Sequence, residues 1–132
     1  MLIYTETVID YVHHLVGYKG ICSNQHGHSG KIRIWVKDNE LKPNKKFDYV
    51  FDSKTGNCIM FDFTNVKEIK ELLDHKYLNE DVEYFKEVNP TAENLAIFIY
   101  NFLVNRCPVL QYKVRFYETA VGKNTYAEYG DF

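Results

Sequence analysis

The stretch Cys22-Ser23-Asn24-Gln25-His26-Gly27-His28 gathers a thiol and two imidazoles into one short segment. His26 and His28 stand two apart and run into the alternating segment Lys31-Ile32-Arg33-Ile34-Trp35-Val36-Lys37. On a single strand both imidazoles leave the same face, a spacing that suits a metal ion. The plainer reading is two histidines on a half-buried strand beside an unrelated thiol, since a short motif is only a hypothesis. Cys22, four residues before His26, lies where a turn brings its sulfur towards whatever the histidines hold.

Positioning these groups requires strands. Leu2 to about His14 is rich in β-branched and aromatic residues, which predicts a strand ending in His13-His14. Gly17-Tyr18-Lys19-Gly20 supplies a turn, so a second strand returns beside the first and carries His13 or His14 towards His26 and His28. On that second strand Ile32, Ile34 and Val36 share one face, and by parity His26 and His28 join them. Asp38 to Lys46 reads as a loop, with strand pieces at Phe47 to Phe51 and Cys58 to Phe63 around a turn at Ser53 to Asn57. Asn65, with Glu68 three residues on, predicts a helix to about Leu73, and Asp74-His75 follows directly. Glu80 to Val88 reads as a loop or short helical turn.

Asn89 as a cap, Pro90 at the first helical position and Glu93 in the first turn predict a second helix, which Pro108 stops. Gln111 to Thr119 is a strand with Tyr112, Val114 and Phe116 on its core face, and Glu118 continues that row. An acid there either reaches water at the strand end or has a ligand to meet. Gly122-Lys123-Asn124 turns the chain into a last strand, Thr125 to Tyr129. The order predicts an α+β fold, one domain over residues 1–132, with an antiparallel sheet and two helices on one face.

Composition limits the partners. At 45% hydrophobic and 26% charged the chain reads as a soluble globular protein with an unusually high aromatic share of 16%. A net charge of −2 without a basic run argues against nucleic acid or a membrane surface and favours a small molecule. No apolar run is long enough to span a bilayer, and the first residues lack a signal-peptide layout, so the expected location is cytoplasmic. Cys22, Cys58 and Cys107 are widely and irregularly spaced, which predicts free thiols, Cys58 and Cys107 as core residues.

His13-x-Leu15, Cys22-x-x-x-His26-Gly27-His28, Met60-Phe61-Asp62-Phe63, Leu73-Asp74-His75-x-x-Leu78-Asn79, Asn89-Pro90-Thr91-Ala92-Glu93-Asn94-Leu95-Ala96 and Tyr117-Glu118-Thr119 occur in that order along nearly the whole chain. Together they resemble the 6-pyruvoyl-tetrahydropterin synthase family. Three residues between the cysteine and His-Gly-His are most similar to its 6-carboxy-tetrahydropterin synthase branch, of queuosine and 7-deazaguanine biosynthesis. The resemblance implies a T-fold, in which the sheets of three subunits join into a barrel and two trimers stack into a homohexamer. It implies a lyase with Zn2+ held by His13, His26 and His28, the fourth position being left for substrate. His14 is the alternative first ligand, but the family's ligand stands two before the leucine.

By the same resemblance Cys22 is the general base, and Asp74 and His75 are a second acid/base pair. Glu118 grips the pterin, and Thr91 lines its pocket, although a helix start explains Thr91 equally well. The implied substrate is 7,8-dihydroneopterin triphosphate, giving 6-carboxy-tetrahydropterin, acetaldehyde and triphosphate. A 6-pyruvoyl product and a non-catalytic pterin-binding oligomer are the alternatives. Two positions depart from the family pattern: His14 replaces the usual Arg after the zinc histidine, and Gly30 replaces an aromatic on the metal face. Lys31, Arg33 and His14 are candidate phosphate contacts or part of a solvated face.

Overall fold

A computed structural model describes residues 1–38 and 61–132. The two strands expected around the histidines form as long partners, β1 (Leu2–His13) and β2 (His26–Lys37). They pair antiparallel from Leu2 opposite Lys37 to His13 opposite His26, with Tyr11 opposite His28 and Ile9 opposite Gly30. Residues opposite each other share a face, so one register fixes which side chains can meet. The connection folds through Gly17, whose φ of 78 suits glycine, and a 3-10 turn at Ile21–Ser23. Through that turn Leu15 N–H donates to the Cys22 carbonyl at 2.9 Å.

Helix α1 (Thr64–Leu73) starts one residue before the expected Asn65. Its first turn is satisfied by Asp62, whose carboxylate accepts from Thr64 N–H at 2.9 Å and whose carbonyl accepts from Asn65 N–H. Phe61 to Phe63 is accordingly not strand, as expected from the sequence, but the approach to a helix. The rest of that expected piece, the one from Phe47 to Phe51, the loop beyond Asp38 and Cys58 lie outside the described residues. After α1 come a two-residue strand β3 (Lys76–Tyr77) and two single-turn helices, α2 (Leu78–Asp81) and α3 (Tyr84–Glu87).

Helix α4 (Ala92–Arg106) is capped by Thr91, whose hydroxyl accepts from Asn94 N–H at 3.2 Å. The expected cap, Asn89, is engaged elsewhere: its side chain bonds both backbone groups of Val16, at 2.8 and 2.9 Å. Strands β4 (Gln111–Tyr117) and β5 (Ala127–Gly130) follow, β5 starting two residues later than expected.

The described strands order as β3-β1-β2-β4-β5. All pairings are antiparallel except the short β1·β3 contact, because β3 arrives from a helical crossover. One face carries Ile9, Tyr11, Ile32, Ile34, Val36, Tyr112, Val114 and Phe116, all buried in one core with Val66, Ile69 and Leu73 of α1 and Leu95, Ile99 and Leu103 of α4. On the other face cations lie over aromatic rings: Lys113 and Arg115 over Trp35, Lys31 and Arg33 over Tyr117. Arg33 also pairs with Glu6 at 3.0 Å. Lys31 and Arg33, expected as phosphate contacts or a solvated face, are thus partly engaged within the sheet. No helix among the described residues is long and apolar enough to cross a membrane.

Candidate metal centre and its cleft

The β1–β2 register brings three imidazoles to one end of the core face. His13 Nε2 lies 3.0 Å from His26 Nε2, and the His28 ring centroid is 5.0 Å from that of His13 and 4.8 Å from that of His26. Glu118, one residue beyond β4, continues the Tyr112-Val114-Phe116 row as its parity requires. Its Oε1 stands 2.7 Å from His28 Nε2 and 3.5 Å from His13 Nε2. One ligand atom from each of the four residues lies within 4.8 Å of the others.

Two imidazoles are oriented by carbonyls. His13 Nδ1 donates to Pro90 O and His26 Nδ1 to Asn24 O, each at 2.7 Å. A carbonyl only accepts, so both Nδ1 atoms carry protons, and in the neutral rings both Nε2 atoms are lone pairs. Two lone pairs 3.0 Å apart repel unless a proton or a metal cation lies between them. His28 resists the proton: burial lowers its pKa, with Glu118 pulling the other way. Its Nε2 is buried and makes no directed hydrogen bond although Glu118 is close by. The neighbouring imidazoles, His13 foremost, hold the Glu118 carboxyl below its ordinary value against the opposing effect of burial. Three imidazole nitrogens, that of His28 buried without a directed hydrogen bond, and a carboxylate oxygen fit a metal ion with borderline-soft ligand preferences.

Backbone clamps hold His13 in place. Asn79 bonds both backbone groups of His14, at 2.9 and 3.0 Å, as Asn89 does those of Val16. Asparagine is suited to this role because its amide offers a donor and an acceptor side by side. His14 itself is turned away from the cluster and meets the Tyr77 hydroxyl through Nδ1 at 2.7 Å. Of the two candidate first ligands, only His13 joins His26 and His28.

A cleft of about 900 Å³ opens over the cluster, and His13, His28, Cys22, Thr91, Glu118 and Tyr126 line it. Cys22 and Thr91 line this cleft together with His13 and His28, and Thr91 serves as cap and cleft wall together. Asp74 and His75 do not join this group. They meet Asp10, which alternates with Tyr11 and so points from the opposite face of β1. Asp10 N–H donates to Asp74 Oδ1 at 2.8 Å, His75 N–H to Asp10 O at 2.7 Å, and Ser29 Oγ to Asp10 Oδ1. His75 has a φ of 58, unusual for a non-glycine residue, and leaves its side chain 78% exposed.

Sequence reasoning passed over Tyr11. It is 3% exposed, and its ring packs on His13, His28 and Phe116. Its ring takes the space above Gly30: a Cβ there would lie 3.0 Å from Tyr11 Cε1 and 3.1 Å from Phe116 Cζ. The aromatic missing at Gly30 is thus supplied from the neighbouring strand. Burial, and then the Glu118 charge, push the Tyr11 pKa well above the ordinary phenol range.

A family model described as 6-pyruvoyl tetrahydropterin synthase matches residues 2–130. The chain belongs to that family. It is 34% identical over 108 residues to the 6-pyruvoyl tetrahydrobiopterin synthase of Poecilia reticulata, the match covering 76% of this chain and 65% of the relative. To the 6-carboxy-5,6,7,8-tetrahydropterin synthase of Synechocystis it is 32% identical over 104 residues, covering 75% of this chain and 71% of the relative. The chain spans less than two thirds of the length of the first of these relatives, and 57% of the Drosophila melanogaster one. The fold is that of 6-pyruvoyl tetrahydropterin synthase from Caenorhabditis elegans, with a TM-score of 0.69 at 22% identity over 100% of this chain and 96% of that one. The α+β T-fold expected from the sequence is therefore the fold of this protein.

Proposed function

We propose that this protein is a zinc-dependent lyase of 7,8-dihydroneopterin triphosphate that yields 6-carboxy-5,6,7,8-tetrahydropterin, acetaldehyde and triphosphate. The observation that carries this reading is the convergence of three imidazoles on one lone-pair-rich point, two of them lining a cleft that Cys22 and Glu118 also line. His13, His26 and His28 would hold the zinc, which when bound supplies Lewis acidity to substrate side-chain oxygens. Glu118 anchors the pterin, accepting from its 2-amino group and ring N–H in a two-point contact. Cys22, on the rim of the same cleft, takes the proton from the substrate side chain.

Asp74 and His75 act as the second proton-transfer pair, and their position on the other face means that another copy must bring them to this cleft. The short edge strands β3 and β5 agree with such an assembly, since an open sheet is stabilised by pairing its edges. A homohexamer built from two barrel-forming trimers would meet both needs.

Cys22→Ala is expected to keep zinc and pterin while losing about a hundredfold or more in rate, the scale of one acid/base group; full activity would remove Cys22 from the mechanism. Glu118→Ala is expected to weaken pterin binding without releasing metal.

The 6-pyruvoyl product is the second reading, favoured by the 34–37% identity to animal 6-pyruvoyl tetrahydrobiopterin synthases. The deciding experiment incubates zinc-loaded protein with 7,8-dihydroneopterin triphosphate and identifies both the pterin and the small fragment. Acetaldehyde with the 6-carboxy pterin supports the first reading, a 6-pyruvoyl pterin without aldehyde the second. Binding without turnover would contradict both and leave a pterin-binding oligomer.

A further inference from the structure

We propose that Tyr11 is a positioning residue whose buried hydroxyl draws the Glu118 carboxylate off the three imidazoles, freeing it to receive the pterin. This rests on the functional reading above. Glu118 has two incompatible positions to fill. In the structure its Oε1 lies among the imidazoles, 2.7 Å from His28 Nε2, where it would complete a metal's coordination. A carboxylate committed there has less capacity to accept from a pterin, and it closes the position that substrate must take. Something has to compete for it.

Tyr11 is placed to do so. Its hydroxyl is buried and has no hydrogen-bond partner among the described residues. A buried donor left unpaired is costly, so a state in which it is paired is favoured. Its ring stands directly across the strands from His28, centroids 5.6 Å apart, and on the same face as His13. The Glu118 carboxylate stands against the same imidazole, its Oε1 2.7 Å from His28 Nε2. Phe116 and the bare Cα of Gly30 leave the ring its room and confine it there. A merely space-filling ring would need no hydroxyl at this position, and phenylalanine would fill it without the penalty.

The test is Tyr11→Phe, which preserves shape and removes a hydroxyl that the resting fold leaves unpaired. Zinc affinity is read by competition with a chromophoric chelator, and pterin affinity by neopterin fluorescence on the zinc-loaded protein. If Tyr11 competes with the metal for Glu118, its loss leaves the carboxylate on zinc. Zinc is then held tighter by roughly tenfold, the scale of outer-shell partners, while neopterin binds more weakly by a similar factor. In a Glu118→Gln background the change at Tyr11 should leave zinc affinity unaltered, since no carboxylate remains to be released. A ring that only packs would move neither affinity, and one that orients His28 would loosen zinc; either result overturns the proposal. Wild-type protein that takes no zinc would overturn the functional reading, and this inference with it. Wild-type protein that takes zinc normally and matches Tyr11→Phe would overturn this inference alone.

Discussion

Two titratable clusters sit on the same pair of strands, and they are built on opposite plans. His13, His26, His28 and Glu118 lie on the core face, two of the imidazoles being oriented by backbone carbonyls. Asp10, Asp74 and His75 lie on the other face, where His75 reaches into solvent from a left-handed backbone. The first cluster has its orienting contacts supplied from within one chain. The second has its backbone fixed and its imidazole exposed. A side chain held at a strained φ and exposed beside an acid, His75 Nε2 lying 3.8 Å from Asp74 Oδ2, is pre-positioned for something that arrives later. On the proposed function, one chain builds the metal site and offers an acid/base pair to another.

The largest way to break this contrast is at the first cluster. His28→Ala should lower zinc affinity by more than the roughly hundredfold upper range of outer-shell changes, measured by chelator competition. His75→Ala should leave zinc affinity at the wild-type value while costing about a hundredfold in rate, measured by turnover of zinc-loaded protein. Equal metal loss in both variants would erase the distinction between the clusters.

Smaller effects sharpen it. Asn89→Ala removes two hydrogen bonds from the segment that follows His13, and should cost about 1–3 kcal/mol in denaturant unfolding. It should also loosen zinc, which a purely global loss of stability would not. Thr91→Ala removes the α4 cap and should cost about 1 kcal/mol with no change in metal affinity. Smallest is Tyr100→Phe, far from both clusters. The Tyr100 hydroxyl donates to Asp131 at 2.6 Å, and that bond, then burial, push its pKa up to about 12. A raised folded pKa means stability present below the unfolded value and lost as pH rises through the folded one. The gap between wild type and Tyr100→Phe in thermal unfolding should therefore be constant to about pH 10 and close as pH approaches 12.

Strand parity made much of the first cluster legible. Alternation along Lys31 to Lys37 and Gln111 to Thr119 was enough to align His26, His28 and Glu118 on one face, because a period of two admits no other arrangement once the core side is known. The α4 start was misassigned because Asn89-Pro90 has good local capping chemistry. The side chain of Asn89 is spent on Val16, a long-range contact that no local pattern encodes. The single-turn helices α2 and α3 are too short for periodicity to register, so Glu80 to Val88 could be read only as a loop or short helical turn, which α3 is. Tyr11 looked like one more aromatic in a strand, and its significance depends on the opening at Gly30 across the sheet. The separation of Asp74 and His75 from the imidazoles was equally hidden. Motif order says which residues are present, whereas the β1 edge on which His75 docks decides which face they serve.

The most direct test of this division of labour is subunit mixing. Cys22→Ala and His75→Ala are each purified with zinc, unfolded or dissociated together, reassembled, and assayed with 7,8-dihydroneopterin triphosphate. If clefts are completed by a second copy's Asp74 and His75, mixed assemblies contain some clefts with every group intact, and activity rises well above that of either variant reassembled alone. Activity that stays at the average of the two parents would mean that each chain completes its own site, contrary to the placement of the two clusters on opposite faces.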